Sequence, residues 1–303
     1  MRRRYHLLDV FTDCPLAGNP LAVVRDSSGL DAARMQKIAA EFNLSETVFL
    51  LEPEAPANAA RLRIFTPKAE LAFAGHPTIG AAILLATLQA PDIPPAHDVA
   101  IALEEEIGLV ACTVQRREGA AAYASFRLPR LPVETDIPAS NDRIAAALGL
   151  VEADIGFAAH RPSIFSVGLP FAFVPVAGLA TIARARPDPI LFDSAFNGLQ
   201  ASAAFLYTSD VIDGRHAFHA RMFAPGLGIA EDPATGSAVA AFAGAVLAFE
   251  RLADGTHALV IEQGFEMGRP SLITLGLEIA HGALTAALIG GSAVIIGEGA
   301  INL

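Results

Sequence analysis

Tryptophan is absent from this 303-residue chain, cysteine occurs twice, and charged residues make up only 17% of it. Cys14 and Cys112 cannot build a disulfide scaffold, a four-cysteine zinc site or an iron–sulfur cluster, and they suit a reducing cytoplasm. Positive charge is scarce as well. Against 32 acidic residues stand 21 Lys and Arg, a net of −11 that phosphate repels, so nucleic acid is a poor partner. Arg2–Arg4 is a local exception, read as a solvated terminus, and Asp9 and Asp13 break up any signal-peptide core behind it. Eight histidines without a His-Glu-x-x-His spacing give no metal site.

Long uninterrupted apolar runs are missing too. Ala234–Phe249 is uncharged but spans 16 residues, short of the roughly 20 that cross a bilayer. Leu272–Ile296 is longer, yet Glu278, His281 and four glycines interrupt it. Both read as buried core, so the expectation is a soluble cytoplasmic protein without a membrane partner. What is present is 53% hydrophobic residue content, far too apolar for disorder, over a length comfortable for two domains.

A repeat organises the chain, with a period of about 158 residues. Arg63-Ile-Phe-Thr-Pro67 is echoed by Arg221-Met-Phe-Ala-Pro225, and Pro77-Thr-Ile-Gly-Ala-Ala82 by Pro233-Ala-Thr-Gly-Ser-Ala238. Upstream, Glu46–Leu51 matches Ser202–Tyr207; downstream, Glu104–Val110 aligns loosely with Glu262–Ile273. The predicted strands are short, branched runs bounded by Gly, Pro or acidic clusters. Four helices are expected: Asp31–Glu41, Thr78–Leu88, Asn141–Leu148 and Ala234–Arg251. The second and fourth are apolar all round and must be buried on every side, which a sheet wrapped around a central helix achieves. Residues 1–130 and 131–291 form the expected domains, with Leu128–Pro138 as linker; residues 292–303 can return to the first.

Chemistry-bearing residues gather where strand gives way to buried helix. Phe73-Ala-Gly-His-Pro-Thr-Ile-Gly80 and Ile229-Ala-Glu-Asp-Pro-Ala-Thr-Gly-Ser-Ala238 both place proline where a first helical residue belongs, with His76 or Asp232 at the expected N-cap. If the domains are related by an approximate twofold, both starts point into one cleft and grip a small anion. No P-loop or Gly-x-Gly-x-x-Gly accompanies them. Glu46, in Asn43-Leu-Ser-Glu-Thr-Val-Phe49, is the third candidate; its counterpart in the repeat is Ser202. One carboxylate contributed asymmetrically suits a single general acid/base. In Gln263-Gly-Phe-Glu-Met-Gly-Arg-Pro-Ser271 the glycines fit a hairpin loop, a structural role.

Together Asp9-Val-Phe-Thr, Gly18-Asn-Pro-Leu-Ala-Val-Val24, Asn43–Phe49, Arg63–Pro67, Ala74-Gly-His-Pro-Thr78, Glu231–Ala238, Gln263-Gly and Gly268-Arg-Pro-Ser271 resemble the PhzF-like phenazine-biosynthesis family over nearly the whole chain. The resemblance implies a diaminopimelate-epimerase-like α/β (α+β) fold: two pseudo-symmetric domains, each a curved, barrel-like, mostly antiparallel sheet around a buried helix, with the active site in the interdomain cleft. It implies a homodimer and a cofactor-free isomerisation like that of trans-2,3-dihydro-3-hydroxyanthranilate. Glu46 would move the proton, His76 and Asp232 would support it, and Ser237 would bind substrate. Asn19, Ser45, Gly75 and Gly236, within the same motifs, join it as substrate-binding candidates. Racemases of related fold use two cysteines at the helix starts, which here read Ala-Gly-His-Pro and Glu-Asp-Pro. A serine hydrolase lacks its Gly-x-Ser-x-Gly elbow. A non-catalytic binding protein that kept the cleft is the remaining alternative.

Overall fold

Short β-branched runs between turn residues produce seventeen strands and six α-helices among the described residues of the computed structural model, which are 2–89, 97–116, 118–136, 139–196 and 203–303. The chain divides into two units, Met1–Arg127 with Gly290–Leu303, and Leu128–Ile289.

The first unit contains β1 (Arg2–Val10), β2 (Asn19–Val24), α1 (Ala32–Phe42), β3 (Glu46–Leu51), β4 (Ala60–Phe65), β5 (Glu70–Leu71), α2 (Gly75–Gln89), β6 (Asp98–Glu105), β7 (Gly108–Gln115) and β8 (Ala122–Arg127). The second contains β9 (Val133–Asp136), α3 (Asn141–Ala147), β10 (Ser163–Ser166), β11 (Pro170–Pro175), α4 (Leu179–Arg184), α5 (Pro189–Phe196), β12 (Ala204–Thr208), β13 (Phe218–Ala224), β14 (Ile229–Asp232), α6 (Gly236–Phe249), β15 (Gly255–Gln263) and β16 (Ser271–Ala280). Strand β17 (Ala283–Asn302) begins in the second unit and ends in the first.

In the first unit, β1–β2, β3–β4, β6–β7 and β7–β8 pair antiparallel, while β2–β3 and β4–β6 pair parallel. Strand β17 pairs with both β8 and β1, closing eight strands into a barrel. Helix α2 packs against β1, β2, β3, β6, β7 and β8 and is buried without interruption from Gly75 to Ala86. That is the environment its all-apolar sequence demands. Each large residue it buries, such as Ile79 or Leu84, contributes about 1.5–3 kcal/mol. Gly80 lets the strands come close: a Cβ there would meet Leu21 Cδ2 at 2.5 Å and Val10 Cγ2 at 2.9 Å. Helix α1 lies against Val24, Phe49 and Phe65 through Met35, Ile38 and Ala39.

The second unit repeats the alternation. Antiparallel β10–β11, β12–β13 and β15–β16 alternate with parallel β11–β12 and β13–β15, and α6 packs on β9, β10, β11 and β16. Hydrogen bonds repeat with the strands. Glu104 accepts from the N–H groups of Glu54 and Ala55 and from Asn58 Nδ2. Glu262, 158 positions later, accepts from the N–H groups of Ile212 and Asp213 and faces His216 Nδ1 at 2.7 Å.

Three features differ from the sequence expectation. The Pro-punctuated stretch read as a linker contains β9, which pairs with β10; residues 137 and 138 lie outside the described residues. Short α4 and α5 escape periodicity because burial of Ile182, Phe192 and Phe196 in a shared core, rather than local propensity, holds them. Strand β17 runs twenty residues through its glycines, since a barrel strand tolerates Gly where a neighbour needs room: Gly290 faces the Tyr123 hydroxyl. No helix among the described residues is long and apolar enough to cross a membrane.

Candidate active site

Glu46 is placed by the end of α1. Asp31 caps that helix by accepting from the Arg34 N–H, and the helix stops at Asn43, left-handed at φ 52° with its N–H on Ala39 O. Three residues later β3 begins at Glu46, in parallel register with Leu21 of β2. His76 comes from the first turn of α2. Its Nε2 lies 3.3 Å from Oε2 of Glu46, with side-chain exposures of 5% and 13%. Burial pushes the His76 imidazole down to about 3, so it is neutral at physiological pH. A neutral ring offers an N–H at one nitrogen and a lone pair at the other, so it can face a carboxylate or a carboxylic acid.

Of the other first-unit candidates, Gly75 opens α2 and is buried, and Asn19 is buried at the start of β2 opposite Val10. Ser45 is half-buried beside Glu46. Both helix starts depart from the expected capping. Helix α2 already includes Gly75 and His76, so His76 is a first-turn residue and not the cap. Helix α6 begins at Gly236 with Thr235 as N-cap, leaving Asp232 at the end of β14.

A side chain that the sequence reading consigned to a hairpin explains this second departure. Gln263, fully buried at the end of β15, donates through Nε2 to Asp232 O at 2.8 Å and to Thr235 Oγ1 at 3.0 Å. Its Oε1 accepts the Thr235 N–H at 3.0 Å, and the Thr235 hydroxyl donates to Asp232 Oδ2 at 2.6 Å. The amide therefore fixes both the carboxylate and the helix start behind it. Gly264 follows at φ 78°, where a Cβ would strike Pro233 O. The "Gln-Gly" pair was visible in the sequence; its partners, some thirty residues upstream, were not. Gly236 and half-buried Ser237 open α6 itself. Ser202, the counterpart of Glu46, lies outside the described residues.

No group of three or more potential ligands that could hold a metal ion occurs among the described residues. Neither cysteine is at a helix start: Cys14 is exposed after β1, and Cys112 is buried on β7 with its thiol pushed up to about 12, chiefly by burial. A cavity of about 800 Å³ beside α1 and the end of β17, lined by Tyr5, Arg34, Lys37, Phe42 and Ile301, includes neither Glu46 nor His76.

Comparison with known proteins adds a family. The model of the phenazine biosynthesis-like protein family matches residues 8–299. An uncharacterized isomerase of Mesorhizobium japonicum is 48% identical, covering 98% of each chain. The trans-2,3-dihydro-3-hydroxyanthranilate isomerase of Pseudomonas chlororaphis is 34% identical over 99% of each. The crystal structure of a PhzF-family phenazine biosynthesis protein from Bacillus anthracis superposes with a TM-score of 0.89 at 25% identity, covering both chains completely.

Proposed function

The chain belongs to the phenazine biosynthesis-like family, and we propose that this isomerase moves a proton between carbons of a small carboxylate-bearing substrate, with Glu46 as general acid/base and no cofactor. The observation that carries the reading is the approach of the Glu46 carboxylate to a neutral His76 imidazole, 3.3 Å apart and both largely buried. Glu46 takes the proton from one carbon and returns it to another. His76 presents Nε2 to the carboxyl group through both stages without adding a charge. Asp232, held by Thr235 and Gln263, and Ser237 in the first turn of α6 bind polar groups of the same substrate, with Asn19, Ser45, Gly75 and Gly236 close in sequence to these residues.

The named relative suggests trans-2,3-dihydro-3-hydroxyanthranilate or a substrate like it. A cytoplasmic homodimer acting on a small anion, with neither nucleic acid nor membrane as partner, completes the reading; the net charge of −11 supports the exclusion of nucleic acid, and two free cysteines fit a reducing compartment. Racemisation by two thiols is disfavoured, since the Cys112 thiol is buried and far from ionising.

The test is proton NMR of that compound in D₂O with the wild type and with Glu46→Gln. Deuterium is expected at carbon in a rearranged product with the wild type, with the rate lowered by about 10²–10⁴ in the variant, the range of general acid–base catalysis. Turnover that survives the substitution would remove Glu46 from the mechanism, and no exchange with the wild type would remove this substrate.

A further inference from the structure

Glu105 is an oddity on the inner side of the first unit. It ends β6 with 8% exposure, and its Oε2 has no hydrogen-bond partner among the described residues. Its Oε1 lies 2.7 Å from Thr78 Oγ1, and that hydroxyl is also 2.8 Å from Ala74 O. A hydroxyl owns one hydrogen. Given to Ala74 O, it leaves a lone pair toward Glu105, and a 2.7 Å contact between two acceptors is repulsive unless Glu105 brings a hydrogen of its own. With the hydroxyl hydrogen on Ala74 O, the contact with Glu105 becomes a full hydrogen bond when Glu105 is a carboxylic acid.

The second unit shows the same circuit with its donor fixed by chemistry. Gln263 stands 158 positions after Glu105, the offset that also relates Glu104 to Glu262. There an amide N–H donates to the Thr235 hydroxyl, which donates onward to Asp232. In the first unit the order is Glu105, Thr78 hydroxyl, Ala74 carbonyl. Thr78 and Thr235 stand one place apart in the aligned motifs, yet each meets the residue that ends the equivalent strand.

We propose that Glu105 is a positioning residue: as a neutral acid it donates to Thr78 Oγ1, does for α2 what Gln263 does for α6, and so fixes the turn that carries Gly75 and His76. The environment agrees. Burial pushes the Glu105 carboxyl up to about 8, opposed by Thr78. Cys112 on β7, which interacts with it, is neutral at physiological pH. The guanidiniums of Arg61 and Arg63, which share a cavity of about 450 Å³ with it, are paired with Glu54 and Glu70, and Glu106 adds negative charge. Among the described residues no hydrogen-bond donor meets Oε2.

The effect on catalysis rests on the function proposed above; the protonation state does not, and the two are tested separately. Infrared difference spectra of wild type against Glu105→Gln should show a carboxylic-acid C=O band at about pH 6 that vanishes above about pH 9.5. In thermal unfolding, the acid's advantage is full below about 4.5 and lost as the pH rises to about 8, because the folded state holds the proton more tightly. The wild-type midpoint should therefore fall relative to Glu105→Gln over that window and level off beyond it. In turnover, Glu105→Leu should lower kcat at least about tenfold with little change in KM, and Glu105→Gln should restore it. A missing acid band or a flat difference in midpoints overturns the neutral acid; a folded Glu105→Leu with full kcat overturns the positioning role. A wild type that turns nothing over strikes the function reading alone, leaving the spectra and the melting curves to decide Glu105.

Discussion

Two buried helices, α2 and α6, follow similar motifs in the two units but start at different places in them and are held by different chemistry. At α6 the holding group is the amide of Gln263, whose charge state never changes and which reaches backbone, hydroxyl and carbonyl at once. At α2 it is the carboxyl of Glu105, meeting one hydroxyl. The residues they present differ in the same sense. Asp232 is tethered by a 2.6 Å hydrogen bond from Thr235, whereas His76 is kept neutral by burial and faces a second titratable group, Glu46. One unit thus holds its helix start with a group of fixed charge, and the other with groups that can take up a proton. Glu104 and Glu262 show what the two halves kept in common. Each ties down the loop that leads into the strand paired parallel with its own, and each is held below the usual carboxylate range: Glu104 by two backbone N–H groups and Asn58, Glu262 because backbone N–H groups and two histidines outweigh its burial.

Removing the fixed side should have the largest effect on stability. Gln263→Leu strands the Asp232 carbonyl and the Thr235 N–H in a fully buried place, at about 1–3 kcal/mol each, so chemical denaturation should show a loss of at least about 2 kcal/mol. A variant as stable as the wild type would mean that α6 does not depend on this amide. Next come the glycines where strand side chains press against each helix. Gly80→Ala drives a methyl into Leu21 and Val10, and Gly244→Ala drives one into the Phe165 ring. Each should cost about 1–3 kcal/mol, with the stiff ring at Gly244 giving the larger loss. Equal and negligible losses would show that the two helices sit loosely in their sheets.

Near neutral pH the smallest effect is a slope, which grows only as the solution is acidified. A folded-state value of about 3 for His76 lies below the ordinary 6.5, so its contribution is whole above about pH 6.5 and is lost as the pH falls toward 3. Unfolding free energies should therefore fall by up to about 1.4 kcal/mol per pH unit below 6.5 in the wild type relative to His76→Gln. A parallel pH dependence in the two proteins would mean that His76 takes its proton as readily in the folded state as in the unfolded one.

Much of this was legible along the chain. Strand β4 and helix α2 appear where Arg63-Ile-Phe-Thr-Pro67 and the all-apolar run after Pro77 place them, because alternating burial in the strand and all-round burial of the helix each leave their own pattern. Glu46 and His76 stood out as residues of the wrong type for their neighbourhoods. The N-cap assigned to Asp232 failed because local sequence cannot register Gln263, which lies 31 residues downstream and claims the Asp232 carbonyl for itself. Helices α4 and α5 failed for a related reason: six and eight residues are too few for a period to show, and their Phe and Ile side chains fold where a core accepts them.

By itself the sequence determined what repeats. Composition, period and the residue types at two helix starts follow from local chemistry and survive as pattern. Only the tertiary structure decided which residues meet. The 3.3 Å approach of Glu46 to His76 spans thirty positions, and the contact of Glu105 with Thr78 spans twenty-seven. Hydrogen bonds and desolvation act over a few ångströms in space, so the protonation state of a buried carboxyl or imidazole is a property of the folded barrel and not of the chain that forms it.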